Sequence, residues 1–381
     1  MGRKPGRTRT VIAAWLATRV VLLVTAGLIM VRSGMRVDDV LGNWDVQHYL
    51  AIALNGYADP QNMAFFPGLP LVMRGVGAVG VPMILGAALV SNASALAAAL
   101  ALDRLAGPFA AIAWLIAPMA VFTVVPYTEA LFCALGFWAW LMARRGRWPL
   151  AAVLAAAACT VRVSGLFLVA GLAVLALTGG EPAGREQGIA GGESGTSEKA
   201  PVARLRHLAW LVIPCAVVAG FVIYLHGLTG SWQAWFGAQQ AGWHRTFMSP
   251  WQGFQNTLFA THPEAWPAEP SRAWLFRFEI VSVVIGYLTV VGCLVRRAWA
   301  QALYVLLQVL ALSCTTWFIS VNRAVLLWFP LFIGIGSWAA WRPSSPEGRT
   351  ARIVVLVLAA ATSVSVMIWW AGLFYAGHWA S

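Results

Sequence analysis

The run Trp44-Asp45-Val46-Gln47-His48-Tyr49 sets a carboxylate and an imidazole three residues apart. At helical pitch that spacing brings both to the same side of a helix. Such a pair can take a proton from a hydroxyl, or orient the group that does. The sequence predicts a helix here, with Asn43 as N-cap and Gly56 at its stop. Val46, Leu50, Ala53 and Leu54 then fall on one side, and Trp44, Asp45, His48 and Tyr49 on the other. The expectation is a helix lying at a membrane interface, apolar face down, aiming acid and imidazole away from lipid. A first-turn carboxylate also complements the helix dipole, so that ordinary role stands beside the catalytic one. Asp38 and Asp39 are competing acids just upstream. His48 has no second His or carboxylate at a zinc-binding spacing, so no metal ligands are assigned and the need for a divalent ion stays open.

Further charges stand at the ends of apolar runs: Glu129 in Pro126-Tyr127-Thr128-Glu129, Arg162 in Arg162-Val163-Ser164-Gly165, and Arg323 in Ser320-Val321-Asn322-Arg323. An Arg at bilayer depth costs about 2.5 to 3.5 kcal/mol on insertion scales, so each is a candidate that faces protein or water. Guanidinium forks suit phosphate. A structural ion pair, such as Glu129 with Arg162, is the plainer alternative. A stretch rich in Trp from 227 to 272 adds Gln240 and Arg245 to the candidates, and its Trp residues suit either an interfacial belt or stacking on sugar.

These residues need a scaffold, and the composition defines it. Of 381 residues, 60% are hydrophobic and 10% charged, against about 25% charged in soluble domains. Apolar stretches run at 11–31, 76–102, 108–125, 129–143, 148–178, 208–226, 276–295, 299–319, 323–341 and 352–376. The expected fold is all-α, one polytopic transmembrane bundle over 1–381, with no room for a soluble catalytic domain. The first run is too long for a secretory signal core and is read as a retained helix. The net charge of +12 is carried largely by arginine clusters beside apolar runs. That pattern is cytoplasmic anchoring, not nucleic-acid binding. The five cysteines all fall within apolar segments and show no metal or redox spacing.

Parity sharpens the topology. Between the basic clusters at Arg144–Arg147 and Arg296–Arg297 lie three apolar stretches, and an odd number cannot return the chain to the same side. The 31 residues from 148 to 178 exceed one span of about 20. They are read as two short helices meeting at Arg162, which brings the count to about 11 hydrophobic helical segments. Irregular backbone at that depth has to line protein or a watery cavity. The N-terminus is then cytoplasmic, and 32–70, 126–129, 227–272 and 320–323 are extracytoplasmic. The Gly-, Glu- and Ser-rich stretch 179–203 is expected to be a disordered cytoplasmic loop.

The run Trp44-Asp45-x-x-His48-Tyr49-x-x-Ile52-Ala53-x-x-Gly56-Tyr57, followed by Ala64-Phe65-Phe66-Pro67-Gly68-x-Pro70, resembles the signature of the PIG-V family of mannosyltransferases. The likeness continues through Tyr127–Phe132, Arg144–Trp148, Thr160–Gly165, Gln240–Arg245, Asn322-Arg323 and Phe329–Phe332. The family has bacterial, often actinobacterial, relatives, and the chain is read as one of these. The resemblance implies a GT-C glycosyltransferase fold, a polyprenyl-phosphate sugar donor, no nucleotide-sugar site, and a catalytic Asp in the first external loop. It implies an inverting transfer of mannose to an extracytoplasmic acceptor, forming an α-mannoside, in a multi-pass protein of the plasma membrane. Asp45 would be the base, with His48 orienting it or the acceptor. Arg162 or Arg323 would meet the leaving phosphate, and Glu129, Arg245, Trp44, Tyr49 and Gln240 complete the candidate binding set. No cofactor is assigned. The acceptor is left open among a glycolipid, a lipoglycan and a glycoprotein. A transferase of another polyprenyl-linked sugar, such as glucose or arabinose, and a transporter or flippase of such lipids are the alternatives.

Overall fold

The computed structural model describes residues 5–179 and 199–380. Its helices are α1 (Pro5–Ser33), α2 (Val37–Leu41), α3 (Asp45–Asn55), α4 (Gly68–Ala78), α5 (Met83–Ala106), α6 (Pro108–Leu115), α7 (Thr128–Arg144), α8 (Trp148–Val161) and α9 (Ser164–Thr178). They continue with α10 (Lys199–Trp210), α11 (Val212–Thr229), α12 (Ala234–Trp243), α13 (Pro250–Ala260), α14 (Arg272–Val295), α15 (Trp299–Ser313), α16 (Val321–Ala324), α17 (Phe329–Ala340) and α18 (Pro346–Tyr375). Among the described residues there is no β-sheet, only one antiparallel bridge between Phe247 and Thr315. An apolar chain without water has to satisfy its backbone internally, and helices do this within one segment.

Five helices are long and apolar enough to cross a membrane, or six if the bent pair Val321–Leu327 and Phe329–Ala340, which turns by 66°, is one span. The chain is therefore a multi-pass membrane protein. Three further apolar helices are shorter: α8, α9 and α15. The stretch 148–178 divides as expected, with α8 ending at Val161 and α9 starting at Ser164. Other boundaries differ. The stretch expected at 76–102 becomes α5 from Met83, and the residues before it join a separate helix, α4. Pro108 opens α6, which stops at Leu115 and gives way to a 3-10 turn at Ala120–Thr123, so 108–125 is not one helix. Most of the loop expected at 179–203 lies outside the described residues. From Lys199 onward the chain is already helical.

The core is one continuous cluster of buried side chains, in which Trp114, Trp140, Trp328, Tyr304 and Phe329 are fully enclosed. Helix α7 occupies its middle, nearly every residue from Thr128 to Ala143 being partly or fully buried. It starts at Thr128-Glu129 and ends at the Arg144–Arg147 cluster, about 24 Å away at helical rise. Helix α8 runs from that cluster back to Arg162, and the bent pair runs from Arg323 toward Arg342. One end of the bundle thus collects Glu129, Arg162 and Arg323, while arginine clusters mark the other.

Candidate functional site

Four charged side chains from four distant segments meet at that end. Asp45 Oδ2 lies 2.8 Å from Arg323 Nη1, which is 3.7 Å from Glu129 Oε1. The same Glu129 oxygen accepts from Arg162 Nη1 at 2.7 Å, and Arg162 Nη1 also donates to Thr128 Oγ1 at 2.6 Å. Charge alternates along the chain Asp45, Arg323, Glu129, Arg162. A buried ion is tolerated only with partners of this kind, and here each interior charge has an opposite neighbour. Accessibility is uneven: Glu129 is fully buried and Arg323 nearly so, whereas 14% of the Asp45 side chain and 21% of the Arg162 side chain reach the surface. The ends of the row are open, and its middle is closed.

Local structure explains each position. Arg162 stands in the break between α8 and α9, in extended conformation, where no helix could turn its side chain back toward Glu129. Arg323 sits on α16, a single helical turn that follows Ser320 in the left-handed region. Glu279, buried on α14, pins this turn by accepting from the backbone N–H of Ser320 at 2.9 Å and of Asn322 at 3.0 Å. Asn322 is held in turn by Ser282 and by the Leu275 carbonyl. Arg323 donates its second nitrogen to Ser320 Oγ at 3.0 Å and stacks over Phe122 and Tyr127. Both terminal nitrogens therefore bond protein, while the buried Nε has no partner among the described residues. Arg162 differs in being more exposed, and among the described residues only its Nη1 bonds protein.

Asp45 opens α3, but the cap is displaced by one residue from the expected Asn43. Asn43 Nδ2 donates to the carbonyls of Val40 and Phe374, which removes it from capping. Trp44 becomes the cap residue, with φ of 57° and ψ of −121°. Its indole donates to the His378 carbonyl at 2.9 Å, so the segment after α18 holds the residue before Asp45. The Asp45 N–H donates to Tyr127 Oη at 3.2 Å. Gly56 ends the helix with positive φ, as expected.

The faces of α3 are also rotated from expectation. Val46, Tyr49, Ile52 and Ala53 are buried, while Leu54 is exposed. Tyr49 enters the core edge-on to Tyr127 and Phe65. Burial, and next the charge of Asp45, push its phenol far above the ordinary value, so it stays neutral. Asp45 points into the bundle end toward Arg323 instead of out over the surface. His48 makes no hydrogen bond to Asp45: its Nδ1 is 2.8 Å from Asn62 Oδ1, and its ring stacks on Phe65 and tilts against Trp243.

The segment Ala64–Gly68 is a wedge between α3 and α8. A Cβ on Gly68 would stand 2.7 Å from Thr160 Oγ1 and 2.8 Å from the Thr160 carbonyl, so only glycine fits. The Ala64 carbonyl accepts from Trp235 Nε1 and Gln239 Nε2. The stretch 227–272 is thus built of α12, α13 and a 3-10 turn, with Trp235 and Trp243 packed on this wedge, Trp266 on Phe276 and Trp232 on His226.

Arg245 lies beside the cluster. Its Nη1 donates to Gln239 Oε1 at 3.3 Å and its Nη2 to the Ile319 carbonyl at 2.8 Å. Burial, and then Arg323, pull it down to about 10, against the opposite pull of Glu279 and Asp45, which leaves it a cation at neutral pH. Gln240 is exposed and makes no side-chain contact with the cluster; its neighbour Gln239 makes the contacts. Asp38 and Asp39 stay on α2, where Asp39 accepts from the Arg36 N–H. Sequence reasoning missed Glu279 and Asn62, and gave no site role to Ser320 and Gln239. Only Glu279 carries a signal, as the one acid in the apolar run 276–295. Among the described residues no three His, Cys, Asp or Glu side chains gather to hold a metal.

Fold and site together define a multi-pass helical membrane protein with a charged cluster at one end of its bundle. No family model matches the chain. Part of it is homologous to GPI alpha-1,6-mannosyltransferase 2 of Rattus norvegicus and of Homo sapiens, at 33% identity over 148 residues, which is 34% of this chain and 30% of each relative. It is also 33% identical over 144 residues to GPI mannosyltransferase 2 of Cryptococcus neoformans, covering 32% of this chain and 34% of that protein. The matched segment spans about a third of the length of these relatives.

Proposed function

We propose that the protein is an inverting glycosyltransferase of the PIG-V type, moving mannose from a polyprenyl-phosphate donor to an extracytoplasmic glycan or lipid acceptor. The observation that carries this reading is the row Asp45–Arg323–Glu129–Arg162, open only at its carboxylate and guanidinium ends. A base and a phosphate ligand are the two groups such a transfer requires, and the relatives' names supply the sugar.

In this reading the acceptor oxygen attacks the anomeric carbon from the face opposite the phosphate, and its proton passes to Asp45 Oδ1. The bond from the anomeric carbon to the phosphate oxygen breaks, and polyprenyl phosphate leaves with the electron pair. A β-linked donor gives an α-mannoside. Arg323 holds Asp45 through Oδ2 and is a positioning residue, since both its terminal nitrogens bond protein and its side chain is nearly closed off from the surface. Arg162, with Nη2 and Nε unengaged among the described residues, is the group for the phosphate charge that develops in the transition state. His48, stacked on Phe65 and tilted against Trp243, offers an aromatic wall suited to a sugar face.

The lipid-bound donor accounts for a site at the end of an apolar bundle. The test is transfer by purified protein in detergent, given polyprenyl-phosphate mannose and lipid or glycan acceptors. A new mannoside released with polyprenyl phosphate is expected. Transfer only from the glucose- or arabinose-charged carrier would replace the sugar, and absence of any product with every carrier would overturn the reading.

A further inference from the structure

One cavity stands outside the charged cluster. It measures about 330 Å³ and lies between the far end of α3, the helix α4, the last turn of α8 and the helix α11. Its walls are mostly apolar, including Ile52, Pro70, Leu71, Val217 and Phe221. The volume is near the lower end of the ~300 to 1,000 Å³ typical of ligand pockets, which suits one slender chain. A single charge lines it. Arg74 is the only charged residue on α4, is exposed, and makes no hydrogen bond or ion pair among the described residues. An unpaired guanidinium at the mouth of an apolar cavity complements an anion attached to a hydrocarbon. A cation whose role was only to keep the helix soluble would not need to border the cavity.

The cavity is also joined to the cluster by shared walls. Thr160, on its lining, is two residues before Arg162, and Ile52 lies on the same helix as Asp45. The wedge residues Phe66 and Pro67 form its inner side, and Phe65 beside them stacks on His48. A lipid seated here would share walls with the charged cluster through Thr160 and the Phe66–Pro67 wedge.

We infer that this cavity is a docking site for a single-chain isoprenoid lipid phosphate, with the chain between α4 and α11 and the phosphate on Arg74. The inference rests on the proposed transfer from such a carrier, and it adds an entry site distinct from Arg162. The carrier docks with its phosphate on Arg74 and then advances along the Thr160 wall to the cluster.

The experiment measures binding of sugar-free undecaprenyl phosphate to the purified full chain, alongside the transfer kinetics of the same preparations. Arg74→Gln and the cavity-filling Val217→Trp are each expected to weaken binding at least tenfold. Both should raise KM for the lipid donor while leaving kcat within twofold. Thermal unfolding compared with the unsubstituted protein separates loss of the cavity from loss of the fold, and Leu71→Trp gives a second filling variant if Val217→Trp is unstable. Equal binding by all variants overturns the docking site and leaves the transfer reading standing. Equal displacement by a diacyl phosphatidic acid overturns the assignment to a single-chain carrier. No binding by the unsubstituted protein overturns the inference, whereas product formation in the same preparation judges the transfer reading separately.

Discussion

Arg19 and Arg323 are both guanidiniums buried in an apolar bundle, and they are held in opposite ways. Arg19, within α1, donates to Thr123 Oγ1 and to the Thr123 carbonyl at 2.9 to 3.0 Å, and to Asn92 Oδ1 at 3.4 Å. Among the described residues it has no carboxylate at ion-pair distance. Arg323 has two, and one of them, Asp45, opens to the surface. Neutral acceptors fix a guanidinium and with it the backbone that supplies them, here the turn at Ala120–Thr123 that leads to Tyr127 and Glu129. Carboxylate partners do more, because they gather charge that a substrate can use. The difference separates a structural buried arginine from one that belongs to a site.

The comparison can be broken by substitution. Arg323→Ala has the largest expected effect, since it strands Asp45 and leaves the buried Glu129 with Arg162 alone; breaking a buried pair costs about 3 to 5 kcal/mol. Thermal unfolding should fall sharply, and transfer should vanish even in the folded fraction. Arg162→Gln comes next. Removing one preorganised donor to a developing oxyanion lowers rate by about 10² to 10³, and kcat should fall by that order with a smaller loss of stability, because Arg162 is more exposed. Arg19→Met is the mildest. It leaves the acceptors on Thr123 and Asn92 unpaired at about 1 to 3 kcal/mol, so the unfolding temperature should drop while kcat per folded molecule holds. A fall in kcat as deep as that of Arg162→Gln would erase the distinction between the two arginines.

The same pair shows what was legible in the sequence. Asp45 stood out as an acid beside His48, and Glu129, Arg162 and Arg323 as charges at the ends of apolar runs; all four converge. Their order in the row was not legible, because it depends on the bend between α16 and α17 and on the break at Arg162. Arg19 was overlooked, since one cation in a long apolar run is the pattern of a snorkelling side chain. The α3 face was misread for a related reason. Amphipathic reasoning puts Leu50 and Leu54 on the lipid side and Tyr49 on the outer side with Asp45, but Leu50 packs partly on the core and Tyr49 is buried edge-on to Tyr127 and Phe65. The cap at Asn43 failed because the Phe374 carbonyl, more than three hundred residues away, takes its amide. Glu279 was passed over as an isolated acid, although it anchors the turn on which Arg323 stands.

In the proposed transfer the base is the open carboxylate of the row, and the most direct test removes only that charge. Asp45→Asn keeps the side chain's shape and can still accept from Arg323, so folding should be retained, as read by thermal unfolding and monodispersity. Single-turnover transfer from polyprenyl-phosphate mannose should then fall by about 10² to 10⁴, the range general-base assistance supplies. A folded Asp45→Asn protein that forms the mannoside at close to the unsubstituted rate would contradict the account.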